Sequence, residues 1–461
     1  MLSIAAAIHR ADRQGGVRSL RVAVLLALLV LSASAALPTP AAAMSTAGPE
    51  QLAYTLDARA TANGQLAGSL GIAFTNTGTS ALSEVWLRLW GNGPAGCRPQ
   101  RVKVTMLSGG TAASPERNCT ALRVQLTTPL APGERGALQL RVQVRLPRDN
   151  DRFGFANGAS YYGDGIPVVA PLRDGQPDLD SFIALGDPFL ISAAAWRTTL
   201  TWPAGLAAAV TGARQAASAA PAGWQRATFD AASARDFMIA VGPWRATRIT
   251  RDGTKITVLA PRSLRGAAML RAAASAFQSF TSSYGSAEES ELYVVLTPGL
   301  ISQGMEYSGV VLSEPDPETV VHEVAHQWFS QLVGSDGWRT PWLDETLTTY
   351  AQLRQLGNLQ QNCDLERPFA DYGRARLSWT LADFYRDPED VYGAVYDGGA
   401  CAFAALDEEW GGTLFPELLR AYVAQYRHGL ADTAGFIAML RAAAPSGYDV
   451  DAFLTFARLT S

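Results

Sequence analysis

The heptapeptide HEVAHQW at residues 322–328 constrains this chain more than any other stretch. On a helix, positions i and i+4 share a face, so His322 and His326 aim two imidazoles at one point with Glu323 beside them. Two imidazoles meeting in this way suit zinc, which in catalytic sites keeps an open position for water. The competing reading is a plain structural helix with satisfied core histidines. With only four histidines in the chain, two at this spacing weigh against it. A third ligand follows at Glu345, in WLDETLTTY, nineteen positions after His326. That interval holds a helix end, a turn and a new helix start, and GSDGWRTP at 334–341 reads as the turn.

Glu323 cannot easily ligate the same ion as its neighbours, but it can reach a water there. As general base it would take a proton from that water and pass it to a leaving amine. A tetrahedral intermediate then needs a donor for its oxyanion. Tyr396, in VYDGGA, is the candidate, with Tyr392 second, because a phenol stays un-ionised at neutral pH and can still donate.

At 461 residues the chain is long for one domain, and 48% hydrophobic with 17% charged residues describes a globular protein. A net charge of −4 offers no overall basic field, so nucleic acid is not an expected partner. Residues 1–43 read as a signal peptide: several arginines, the apolar run VAVLLALLVLSASAAL, then small residues ending at Ala43. The run is short for a membrane span, so export to the periplasm or the extracellular space is expected, with an uncleaved anchor as the alternative. No stable membrane insertion is expected after cleavage. Export permits disulfides, and Cys97 with Cys119 and Cys363 with Cys401 are the simplest pairs.

Residues 44–250 read as β: apolar and polar positions alternate in short runs such as EVWLRLW, RVKVTML and ALRVQL, with Gly and Pro between them. Many short strands suggest an antiparallel sandwich or curved sheet. Residues 150–188, rich in Gly, Asp and Pro, read as long loops. The texture changes near 251. KITVLAP, ELYVVL and GVVLSE are expected strands, 263–284 is a helix, and 318–332 is the histidine helix. Beyond Pro341 the expected helices are 342–356, 374–385, 399–409, 415–426 and 434–444. The fold class is α+β, with domains at 44–250 and 251–461.

GMEYSG, HEVAHQW, WLDET and YDGG, in this order, resemble the signatures of the aminopeptidase N family of zinc gluzincins. The resemblance covers about 50–460, loosely in the β-rich half and specifically in the second. It implies an N-terminal β-sandwich followed by a thermolysin-like, mainly helical catalytic domain. It also implies one zinc ion on His322, His326 and Glu345, with Glu323 as base and Tyr396 as oxyanion donor. Gly304, Met305 and Glu306 match the exopeptidase motif, with Glu306 holding the free α-amino group and Tyr307 standing where asparagine is commonest. Three departures stand out. No counterpart of the large C-terminal helical domain follows. No second amine-binding residue can be assigned, although Asp164, Asp174, Asp178 and Asp180 lie in the right region. Gln352 replaces an acidic partner expected for a ligand histidine.

These readings point to a zinc aminopeptidase whose partner is a peptide with a free N-terminus. Two rivals are an endopeptidase or oligopeptidase with an open cleft, and a catalytically silent, metal-bound surface binding module. Nothing in the sequence sets an oligomeric state.

Overall fold

The computed structural model describes residues 48–460 except 174, 388 and 390. The expected signal peptide and the candidate Asp174 therefore lie outside the described residues. No helix among the described residues is long and apolar enough to cross a membrane.

The N-terminal half is β-rich. A seven-stranded sheet runs, edge to edge, through Ala213–Ala217, Trp224–Ala234, Ala194–Pro203, Pro49–Ala60, Gln65–Asn76, Arg135–Arg145 and Val102–Ser108. Its pairs are antiparallel except one: Pro49–Ala60 lies parallel to Ala194–Pro203. The long connection between those two strands lets the chain re-enter the sheet in the same direction. A four-stranded sheet built around Leu82–Arg88 and Ala121–Leu130 faces it. Alternation decides what lies between them: Leu52, Tyr54, Leu56 and Ala58 point inward to meet Val85, Leu87, Leu122 and Val124. Residues 150–188 are not continuous loop. Phe153–Ala156 and Ala159–Tyr162 form a hairpin that joins Ile239–Gly242 and Ala207–Val210 in a further sheet.

A five-stranded sheet begins the second half, in the order Trp244–Arg251, Thr254–Pro261, Glu291–Leu296, Val310–Ser313 and Gly304–Tyr307. Helix Ala267–Tyr284 crosses between the parallel neighbours Thr254–Pro261 and Glu291–Leu296. It lays Met269, Ala273, Phe277 and Phe280 on Ile256, Val258, Leu292 and Val294. The remaining elements are mostly helical and share this core, with Trp328, Trp342, Phe403 and Phe415 fully buried in it.

Two expected helices are drawn differently. The histidine helix is α-helical only over Pro317–His326, then widens into a π-turn at Gln327–Leu332. An apolar stripe, Val321, Ala325, Trp328, Phe329 and Leu332, runs through both segments and is buried. In place of the expected helix 374–385 stands a shorter one, Leu381–Arg386, started by Thr380, whose hydroxyl accepts from Asp383 N while its own N–H donates to the Asp383 carboxylate. Before it, Ala375 and Leu377 reach the core from irregular backbone. A late helix at Val450–Phe456 was not expected. Cysteines 97 and 119 are joined, as are 363 and 401, which is the expected pairing.

Candidate metal centre and cleft

Asp316 caps the histidine helix by accepting from Thr319 N at 2.8 Å, and Pro317 opens its first turn. The π-turn then points Gln327 and Gln331 back at the edge of the sheet. Gln327 accepts from Gly309 N and donates to Tyr307 O, at 3.0 and 3.1 Å, while Ser308 donates to Gln331 at 2.7 Å. These bonds lock strand Gly304–Tyr307 against the histidine helix, so a local widening of the helix serves the geometry of the site. The approach is close enough that Gly304 must lack a side chain: a Cβ there would run into Glu323 Oε1. In the same way Gly399 makes room for Thr346, which lets the helix Asp397–Glu409, and Tyr396 at its start, settle on helix Trp342–Leu356.

Three ligand atoms converge. His322 Nε2 and His326 Nε2 are 3.0 Å apart, and Glu345 Oε2 lies 3.4 and 3.5 Å from them. The other ring nitrogens are occupied. His326 Nδ1 meets Asp344 Oδ1 at 2.6 Å, and His322 Nδ1 meets Gln352 Oε1 at 3.1 Å. With carboxylate and amide oxygens on the Nδ1 side, the proton belongs there and both Nε2 lone pairs face the shared point. Two facing lone pairs and a carboxylate oxygen with no hydrogen-bond partner leave a hole that a small divalent cation fits. Glu306, Glu323 and His326 also bring ligand atoms together. That set lacks a second imidazole, so the His322, His326 and Glu345 set suits zinc better.

Protonation follows from burial and neighbours. Burial alone would raise Glu345, but contacts with His322, His326 and Tyr396 outweigh it and hold the carboxyl below its usual range. Burial pushes Glu323 up to about 8, against the pull of His322. A cation at the neighbouring point would draw it back down. Burial, then Asp187, raises Glu306 well above the ordinary carboxylate range. Glu306 Oε1 and Glu323 Oε2 are buried without a hydrogen-bond partner. Tyr396 donates to Glu345 Oε1 at 2.7 Å, and burial beside that carboxylate keeps it a phenol. Tyr392, 5.6 Å from Tyr396 between ring centroids, has a buried hydroxyl with no partner.

All eight expected residues (Gly304, Met305, Glu306, His322, Glu323, His326, Glu345 and Tyr396) line one cleft of about 600 Å³. Gln352 lines it too, at the imidazole where an acid was expected. Of the acidic candidates from the N-terminal half, Asp164, Asp178 and Asp180 do not line it. Asp164 accepts from Tyr307 Oη at 3.1 Å, whereas Asp178 and Asp180 are engaged with Arg173 and Arg339. Asp187 lines the cleft instead, ion-paired with Arg152, which also donates to Gly186 O. It sits in a Gly-Asp-Pro turn with no periodicity to mark it. Asp344 was also missed, though it directly precedes Glu345. Its position one step along the helix turns it behind His326 and away from the shared point.

A β-rich half leading into a helical half, with a histidine pair and a downstream glutamate at one cleft, is the plan of two-domain metallopeptidases. Residues 281–456 match the family model of the Peptidase family M1 domain. Over those residues the chain is thus similar to the domain of peptidase family M1, the aminopeptidase N family of gluzincins. Among curated proteins, leucine aminopeptidase 2-1 of Meyerozyma guilliermondii is 28% identical over 170 residues, 33% of this chain and 26% of that protein. Tricorn protease-interacting factor F2 of Thermoplasma acidophilum is 26% identical over 142 residues, 28% of this chain and 18% of that protein. The matches thus span about a quarter or less of those relatives. The fold is shared more widely. The M1 zinc metallopeptidase of Deinococcus radiodurans superposes with a TM-score of 0.67 at 18% identity, covering 89% of this chain and 94% of that one. A mutant of that metallopeptidase has been solved with a Tyr-Ser-Ala substrate.

Proposed function

We propose that this chain is an exported zinc aminopeptidase that removes N-terminal residues from peptides, with one zinc ion on His322, His326 and Glu345. One observation carries the reading: the convergence of those three ligand atoms in the same cleft as Glu306 on an edge strand. The M1 domain match and its aminopeptidase relatives support it. Bound zinc would supply Lewis acidity, bringing the pKa of water towards neutrality and polarising a carbonyl.

The chain's own residues would do the rest. Glu306, with Asp187 beside it, forms an acidic end that pairs with a substrate's α-ammonium group. The free edge of Gly304–Tyr307 aligns the peptide as an added strand. Glu323 takes one proton from the attacking water and returns it to the amine as the C–N bond breaks. Tyr396 donates to the carbonyl oxygen as negative charge builds there. Gln352 and Asp344 hold the two imidazoles in the tautomer that leaves Nε2 free. A signal peptide at 1–43 and domains at 44–250 and 251–461 complete the proposal. The two disulfides fit an oxidising compartment.

The test is one peptide offered with a free and with an N-acetylated terminus. Cleavage of the free form alone, abolished by chelation, is expected. Equal cleavage of both would remove the exopeptidase role of Glu306 and favour an endopeptidase.

A further inference from the structure

The outer face of the seven-stranded sheet carries a concentration of positive charge far from the cleft. Strand register sets Arg59, Ala67, Gln143 and Lys103 in one row across four neighbouring strands. Arg145 lies two positions beyond Gln143 on the same face, and its backbone N–H donates to Arg101 O at 2.9 Å. Together these cations line a groove of about 560 Å³, closed at one end by the Cys97–Pro99 loop, which the bond to Cys119 holds. Arg148 joins Arg101 and Arg145 in an adjoining hollow. Neither hollow is lined by an aspartate or glutamate among the described residues. The acid two residues before Arg59, Asp57, is already paired with Arg226 at 2.7 Å.

Chance does not favour this grouping, because the chain holds 38 cations against 42 acids, and ordinary surfaces intersperse the two signs. Arg101 and Arg145, neighbours across two strands, repel, and a bound anion would relieve that cost. Two details suggest preparation for a ligand. The Arg59 guanidinium is stacked on Trp224, 3.6 Å from the ring centroid, which fixes its direction. Arg101 lines both hollows, and its guanidinium makes no hydrogen bond or ion pair among the described residues. Guanidinium forks match phosphate and sulfate oxygens in pairs, and a concave wall concentrates the field of several cations on one volume.

We propose that this groove is a binding site for a compact polyanion carrying two or more phosphate or sulfate groups. Its concavity suits a discrete ligand better than a flat anionic bilayer, and its size lies within the usual range of small-molecule sites. The site shares no lining residue with the cleft, so it stands whether or not the peptidase reading does.

The experiment is calorimetric titration of the full chain with inorganic tripolyphosphate and with inositol hexasulfate at several salt concentrations. Saturable 1:1 binding that weakens as salt rises is expected. The triple variant Arg101→Gln/Lys103→Gln/Arg145→Gln should bind at least about tenfold more weakly. A control with equal charge loss at exposed arginines elsewhere, Arg123→Gln/Arg197→Gln/Arg386→Gln, should bind as the unsubstituted chain does. Absence of saturable binding to both probes overturns the proposal, as does an equal loss in the control. A third arm uses vesicles containing phosphatidylinositol phosphates; binding to vesicles without binding to either soluble probe would make the face a membrane contact and reject the pocket.

Discussion

In the cleft, the His322 and His326 imidazoles and Glu345 are each steered by a further partner (Gln352, Asp344 and Tyr396), whereas among the described residues the cations of the sandwich groove have almost none. Both regions gather charge of one sign. The cleft buries its carboxylates around a point where two lone pairs meet, so that charge is organised for a cation and for proton transfer. The groove leaves long side chains half in water, where screening makes crowding tolerable and a multivalent anion is the natural complement. Burial thus separates a site that must be built atom by atom from one that needs only density of charge.

The sharpest way to break this contrast is to remove a group from the cleft. Glu323→Ala should lower peptide turnover by about 10²–10⁴-fold while zinc content stays stoichiometric, measured by peptide assay and metal analysis. Loss of zinc along with activity would mean that Glu323 shapes the metal site and is not a base beside it.

A second prediction separates the two imidazole supports. Asp344 is a buried acid, while Gln352 is a neutral amide that also donates to Glu318 O. Asp344→Asn should weaken zinc affinity by about 10–100-fold in competition with a chelator, and Gln352→Ala should weaken it less. Equal losses would show that the charge on the partner is unimportant here.

The smallest effect concerns a charge with no partner in either region. The Glu289 carboxylate makes no hydrogen bond or ion pair among the described residues, although its backbone carbonyl accepts from Thr254, and burial, then Glu288, pushes the carboxyl from 4.5 up to about 7. A carboxyl raised by folding is easier to protonate in the folded state. It therefore costs nothing below its unfolded value, and its full penalty is felt above the folded one. Glu289→Gln should raise the melting temperature by about 1–3 °C near pH 8 and leave it unchanged near pH 4. A shift of the same size at both values would point to packing and not to charge.

Helical spacing explains why residues that converge in the cleft could be picked out from the sequence. His322, Glu323 and His326 sit within one turn, and Glu345 is one connection away, so their geometry is local and periodic. The β-rich half was legible as a class because strands alternate, but alternation does not say which strands become neighbours. The parallel pairing of Pro49–Ala60 with Ala194–Pro203 left no local mark. The overextended helix at 374–385 failed for a related reason: Ala375 and Leu377 are buried by the surrounding core and not by a helical face.

By itself, then, the order of residues determined the α+β class, the disulfide partners, and the motif residues that meet in the cleft, because each rests on short-range spacing or simple arithmetic. Only the tertiary structure decided that Asp187 and not Asp164 lines the cleft with Glu306, that Asp344 backs His326, and that a chain of net charge −4 turns to solvent a groove whose charged lining residues are all basic. Those outcomes depend on contacts between segments far apart in the chain. Composition averages over them, and periodicity within one element cannot see across to the next.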